Sequence, residues 1–355
     1  MKLLKRILAL AMVMSMTLSL AACSDTSWVY DYNGKKLPSG AYIAFTMEAY
    51  ANAQAHKDIN KDITDIFKQT LDGKDAKQWM IDEAKSLSDH YIAVENKFDE
   101  LGLTLSEKDN NEIDQSVKVA WSQYEPLYTK NSVSENTYKM LMTNSKKQDL
   151  IFEKYYGTGG IEEVPNDKLL VHFKENFASV NIFGMPTAQP LEGKLSDEDK
   201  KANEELKAKA DEYVKLFNEG KKTMNELADM FDHFTNETEH DEKDTEDKIG
   251  KDEDSKRYIK KDSTSPSEKV VKAIFGEMKD DAIAKVIADD KAYFIVVRYD
   301  VTKDESNFEE MKKSILADVK GEDFTKMVDG WAAELKPTAN NSAVKRYNPK
   351  KVVFK

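Results

Sequence analysis

The 355-residue sequence holds a single cysteine, Cys23. No intrachain disulfide can form, and a zinc site built on several thiolates is excluded. Glycine and proline are scarce, at 14 and 8 residues, so the chain reads as helix-rich rather than as a loop-rich or repeated strand–helix fold. G-x-S-x-G, Walker and paired-carboxylate signatures are missing. The lone Gly157-Thr158-Gly159-Gly160 follows a helical pattern instead of a strand, so it reads as a helix terminator and not as a phosphate loop. The five histidines, His56, His90, His172, His233 and His240, show no ligand-pair spacing and read as solvated surface groups. The acidic run Asp241 to Asp254 lacks ordered calcium-loop spacing and carries Lys243, Lys248 and Lys251. No metal and no cofactor are expected.

Beyond the N-terminal leader no apolar run approaches the ~20 residues that a spanning helix needs. The run from Ile7 to Leu20 follows Lys2, Lys5 and Arg6 and leads into Leu20-Ala21-Ala22-Cys23. Basic start, short apolar core and small residues before a cysteine form the pattern of a lipoprotein signal, with cleavage before Cys23 and acylation of its sulfur. An ordinary secretory leader with Cys23 as a core thiol is the alternative. Two acyl chains give stable anchoring, so the expected location is extracytoplasmic, at a membrane. Cleavage would remove Lys2, Lys5 and Arg6 from a chain of net charge −12, so the mature protein would stand at −15. That balance argues against nucleic acid and against a polybasic membrane contact.

Helical spacing dominates the first block, about Ser39 to Gly157. Trp79, Met80, Ala84, Leu87, Tyr91 and Val94 form one stripe. Ser106 caps a helix bearing Ile113, Val117, Ala120, Trp121 and Tyr124, and Ser134 caps one bearing Tyr138, Leu141, Leu150, Ile151 and Tyr155. A short helix near Pro165 to Asn176 precedes a strand-like stretch, Ser179 to Gly184. Two helices follow, from Ser196 and from the capping box Thr223-Met224-Asn225-Glu226. Asn236 to Asp262 reads as a charged loop. Ser265-Pro266-Ser267-Glu268 reads as a capping box with proline at the first helical position. Strands are expected over Ala282 to Ala288 and Ala292 to Tyr299. A last helical stripe starts at Ser306, continues past Gly321 through Phe324, Met327, Val328, Trp331 and Leu335, and stops at Pro337. It needs an apolar partner, for which the first block is the candidate.

This arrangement resembles the PrsA/SurA-type extracytoplasmic foldases, in which a parvulin-type prolyl isomerase is inserted into a helical chaperone domain. The resemblance rests on Asn33-Gly34-Lys35-Lys36 with Ser39-Gly40-Ala41-Tyr42, and on Glu163 to Leu169 with Phe173 to Phe177. It continues in Lys207 to Glu219 with Met224 to Phe231, and in Gly321-Glu322-Asp323-Phe324 with Trp331. It implies an α+β fold, mainly helical. The implied divisions are a signal peptide over 1–22, a tether and lead-in segment over 23–38, chaperone-domain helices over 39–177, a parvulin-like domain over 178–303 and a returning helix over 304–355. It implies unfolded or newly exported polypeptides as partners, a membrane through the N-terminal lipid, no nucleic acid, and a homodimer as one arrangement.

The parvulin site carries two inner histidines. By the resemblance their places fall to Asn181, in Asn181-Ile182-Phe183, and to Phe294, in Tyr293-Phe294-Ile295, while Val270 takes the place of a pocket phenylalanine. Turning an X-Pro bond crosses a barrier of ~20 kcal/mol, and catalysis needs polar groups aligned around the twisting amide. Asn and Phe would leave a degenerate isomerase site with no catalytic residue. An active isomerase and a solute-binding lipoprotein are the alternatives. Met140, Met142, Trp121, Tyr124, Tyr128 and Trp331 are candidates for either core or a client cradle, and sequence alone does not choose among them.

Overall fold

A computed structural model describes residues 27–190, 194–236, 250–303 and 305–354. Cys23, His240 and the acidic run up to residue 249 lie outside them. In chain order the elements begin with β1 (Trp28–Tyr32), β2 (Lys35–Pro38), α1 (Ser39–Gln54), β3 (Thr70–Leu71), β4 (Lys74–Asp75), α2 (Ala76–Glu100), α3 (Glu107–Lys130) and α4 (Glu135–Tyr156). Next come α5 (Asn166–Asn176), β5 (Phe177–Pro186), α6 (Asp197–Asn218), α7 (Met224–Thr235), β6 (Arg257–Lys260), α8 (Glu268–Gly276), β7 (Ala284–Ala288) and β8 (Ala292–Tyr299). The long α9 (Glu305–Ala333), β9 (Thr338–Ala339) and α10 (Asn341–Arg346) close the sequence of elements. The fold is α+β and mainly helical. Among the described residues no helix is long and apolar enough to cross a membrane.

The chain divides into two units: residues 1–163 with 320–355, and residues 164–319. The division falls inside α9. Helix α5 and the start of α9, assigned from sequence to the helical domain, group with the second unit.

In the first unit, Asn33 and Gly34 both take positive φ, 58° and 97°. That is the turn a two-residue hairpin needs, and it joins β1 to β2 with Tyr32 opposite Lys35. β9 pairs with the other edge of β1. This small sheet and α1 surround a core of Val29, Tyr30, Leu37, Tyr42, Phe45, Leu71, Met80 and Ile92. Helix starts are set by side chains that accept orphan N–H groups: Asp75 for α2, the Ser106–Asp109 capping box for α3 and Ser134 for α4. Phe324 packs edge-on against Phe152, and Trp331 lies 6.0 Å from Tyr155. The last part of α9 therefore supplies the apolar partner that the α4 stripe lacks.

The second unit is built on one antiparallel sheet of order β6-β5-β8-β7. Period-two alternation splits β5 between two cores. Ala178, Val180 and Ile182 join Ile259, Val270, Val271, Ile274, Met278 and Val296 on the α8 side. Met185 joins Ile295, Val297, Ala210, Tyr213, Met224, Leu227 and Phe231 on the α6–α7 side. Each buried side chain of this size contributes about 1.5–3 kcal/mol.

Four expectations are corrected here. The stretch read as a charged loop contains, in its described part, a 3₁₀ turn over Asp252–Ser255 and strand β6. An edge strand needs little burial, and only Ile259 of β6 is fully buried, so its composition resembled a loop. Ser267 is the cap of α8, accepting from Val270 N, so Pro266 lies before the helix and not in its first turn. Helix α9 begins at Glu305, which puts Ser306 inside its first turn, and it runs without a break through Gly321. Strand β7 begins at Ala284, because Ala282 takes a left-handed φ of 56°.

Candidate functional site

The sheet of the second unit fixes where the two inferred site positions stand. In the β5–β8 register Asn181 lies opposite Val297, and Phe294 lies opposite Gly184. Cross-strand partners share a face and neighbours along a strand do not. Asn181 and Phe294 therefore project from opposite faces of the sheet. They cannot meet, and the expectation that they replace one paired site is corrected. A one-residue difference in placement moves a side chain to the other face. The β5 residues that share the Phe294 face are Val180, Ile182 and Gly184.

On that face Phe294 is half-buried and packs with Phe275 and Ile287 against the core of Val180, Ile182, Val270 and Ile274. Val270 is fully buried there. A Cβ on Gly184 would meet Cε1 of Phe294 at 2.9 Å, so the ring covers the backbone where β5 has no side chain. The side chains that meet here are apolar. They offer contact surface. The polar groups at the edges of this face are two guanidinium groups, and both are spent on backbone: Arg257 donates to the Ile182 carbonyl at 2.7 Å and Arg298 to the Ile274 carbonyl at 2.6 Å.

The opposite face is polar at its centre. Ser179 and Asn181 are both 2% exposed. Asn181 Nδ2 donates to the backbone carbonyl of Asp252 at 2.9 Å, while its Oδ1 has no partner among the described residues. The Asp252 carboxylate accepts from Met224 N and Asn225 N, each at 2.9 Å. One residue thus ties the centre of β5 to the positive end of α7. Beside it a polar cavity of about 510 Å³ is lined by Ser179, Glu253, Lys256, Tyr299, Asp300 and Lys303. The Lys256 ammonium sits 4.3 Å from the Tyr299 ring centre. Burial, with Asp252 and Glu253 nearby, pushes the Tyr299 hydroxyl far above its ordinary range. It stays a neutral phenol at physiological pH.

A different surface lies in the first unit. Only Ile113 and Val117 of the α3 stripe are fully buried. Trp121 and Tyr128 are half-buried, and Tyr124 is 44% exposed. With Phe45, Met47 and Glu48 of α1 and Leu141 of α4, the end of α3 forms a groove of about 330 Å³. Trp121, Tyr128 and Tyr138 pack as a cluster, with centroids 5.2–5.9 Å apart. Pro126 lies in this part of α3 and has no N–H to return to Ser122. Burial, and then Glu83, push the Glu48 carboxyl upward. The periodicity of α3 placed these aromatic residues on one face. It could not show that the face stays open, nor that Phe45, Met47 and Glu48 complete it from a helix much earlier in the chain.

Among the histidines, His56 comes together with Asp58 and Asp72. Their atoms are spent on each other. Asp58 N donates to His56 Nδ1, His56 Nε2 bonds Asp72 Oδ2 at 3.1 Å, and Trp79 Nε1 donates to the same oxygen. The group clasps the loop between α1 and α2. His90 pairs with Asp329 at 2.9 Å, and His172 pairs with Asp318 at 2.5 Å. Met140 and Met142 are half-buried on α4. Trp331 belongs to the α9 packing, with Lys97 4.8 Å from its ring centre.

No family model matches the chain, and no curated protein matches it. Solved structures do. The foldase protein PrsA from Streptococcus pneumoniae aligns over 81% of this chain and 98% of its own, with 17% identity and a TM-score of 0.38. Foldase protein PrsA from Lactococcus lactis aligns over 91% and 100%, with 13% identity and a TM-score of 0.34. PrsA from Bacillus subtilis aligns over 92% of both, with 13% identity and a TM-score of 0.30. In these comparisons the chain is similar to PrsA foldase structures.

Proposed function

We propose that this chain is a lipid-anchored, extracytoplasmic chaperone that holds unfolded exported polypeptides through its helical unit, and that its second unit is a parvulin-like scaffold without strong isomerase activity. The observation that carries the reading is the open aromatic groove of Phe45, Met47, Tyr124, Leu127, Tyr128 and Leu141. Flexible thioether and aromatic side chains adapt to varied apolar segments. A holding chaperone outside the cytoplasm has no nucleotide to drive release, so shallow, adaptable contacts suit it better than a deep pocket. The tether at Cys23 would raise its effective concentration for chains emerging at the membrane.

The apolar surroundings of Phe294 support the second half of the reading. The geometry around a twisting X-Pro amide calls for aligned donors, and Val180, Ile182 and Phe294 supply none. An active isomerase remains the second reading, favoured only by the resemblance of the insert to that fold.

An aggregation assay tests the proposal. The protein starting at Ser24 is mixed with a chemically unfolded client as the denaturant is diluted. Suppression of light scattering at near-equimolar ratio is the expected result. Scattering that follows the client-alone curve would reject the chaperone reading.

A further inference from the structure

The chain is acidic, yet its last stretch is not. From Leu335 to Lys355 there are six cations and no aspartate or glutamate. Lys345 and Arg346 end α10, and Lys350 and Lys351 lie in the 3₁₀ turn that follows. All four are exposed, as is Lys130 at the end of α3. Elsewhere the surface lysines are commonly paired at helical spacing, as in Lys207–Asp211 and Lys326–Glu322. None of Lys130, Lys345, Arg346, Lys350 and Lys351 forms an ion pair among the described residues.

These cations are held in place. Asn131 Nδ2 donates to the Val353 carbonyl at 2.8 Å, and Val353 N donates back to Asn131 Oδ1 at 2.7 Å. The ring of Phe354 stacks on Tyr50. The clip closes a pocket of about 310 Å³ lined by Ile43, Lys130, Ser132, Arg346, Tyr347 and Lys351. It brings three cations together, and no carboxylate lines it.

The position of the pocket names its occupant. The Ser27 carbonyl accepts from Ser39 N at 2.9 Å, at the first residue of α1. Ile43 lines the pocket one turn further on, about 6 Å along the axis. Cys23 precedes Ser27 by four residues, which span at most ~14 Å. A lipid on Cys23 would hold this end of α1 at the headgroup layer. We propose that the Lys130–Arg346–Lys351 pocket binds the phosphate of an anionic phospholipid headgroup, as a second anchoring signal beside the acyl chains. The net negative charge of the whole chain hides this local patch.

The choice of a membrane occupant rests on the tether reading; the test needs neither lipidation nor chaperone activity. The protein starting at Ser24 keeps every described residue. Its sedimentation with equimolar phosphatidylglycerol/phosphatidylcholine vesicles is compared with that on pure phosphatidylcholine. Binding to the anionic vesicles alone, weakening as salt rises, is expected. The K130Q/R346Q/K351Q variant, checked for an unchanged melting curve, should partition roughly a hundredfold less, at about 1 kcal/mol per cation. K200Q/K201Q/K207Q, which removes three charges from α6, should bind as the parent does. Equal binding to neutral vesicles, equal loss in the α6 variant or undiminished binding by the pocket variant would overturn the proposal. So would saturable binding of inorganic phosphate in calorimetry without any binding to anionic vesicles.

Discussion

Gly184 lies directly across the β5–β8 ladder from Phe294, and a methyl group at residue 184 would come within 2.9 Å of the Phe294 ring. The ring fills the space that the missing side chain leaves. Gly184→Ala should destabilise the protein by about 1–3 kcal/mol through overpacking. Combined with Phe294→Leu, the cost should be smaller than the sum of the two single changes. Urea denaturation of the four proteins in the cycle measures this; strict additivity would mean that the two residues do not share that space.

Because Asn181 and Phe294 project from opposite faces, putting histidines back at both positions cannot create a pair. The N181H/F294H variant should give no acceleration of proline-bond isomerisation over the uncatalysed rate in a protease-coupled peptide assay. The parent protein should give none either. Turnover by the parent would show that the apolar face around Phe294 suffices for catalysis.

The Asp252 carboxylate receives two N–H groups at the start of α7, and its carbonyl receives Asn181. Asp252→Ala removes the first contact and keeps the second. A loss of about 1–2 kcal/mol is expected, the range for a helix cap. Hydrogen exchange should speed up at the α7 amides before those of α8.

Much of the helical framework could be read from the sequence, and the reasons are local. Ser106 and Ser134 announce their helices because a capping side chain and an apolar stripe lie close together in the chain. Strand β8 was legible from its run of β-formers. Strand β6 was not, since an edge strand with one buried residue has almost no periodic signal. The role of Asp252 was hidden for a similar reason: its partners are 27 and 28 residues away. The face assignment of Asn181 failed because motif likeness tolerates a shift of one residue, and a strand does not. The groove was half legible: Trp121, Tyr124 and Tyr128 share a helix face, but Glu48 and Phe45 come from another helix. The basic patch was lost in the whole-chain charge.

Asp318 accepts from His172 and from Lys260. Burial alone would raise its carboxyl, but the hydrogen bonds from Lys260 and His172, with the Lys260 charge, outweigh burial and hold it below the usual carboxylate range. A lowered folded-state value contributes stability above the unfolded-state value of about 3.9 and loses it as pH falls through the folded-state value. Asp318→Asn should cost about 1 kcal/mol at neutral pH, solvent screening included. The difference between the two proteins should shrink as pH falls below about 3.9 and vanish once the folded-state carboxyl is protonated. Urea midpoints across that range measure it, and a constant gap would point to packing and not to charge.

The claim that the helical unit holds unfolded chains through the aromatic groove is tested most directly by client affinity. The probe is a permanently unfolded, fluorescently labelled client, titrated with the protein starting at Ser24 and with its Y124E/L127E variant. Tyr124 is exposed and Leu127 half-buried, so circular dichroism should show both proteins folded. Losing two apolar contacts and adding two charges to the groove should weaken binding at least tenfold, about 1.4 kcal/mol. Equal affinity of the folded variant and the parent would contradict the account.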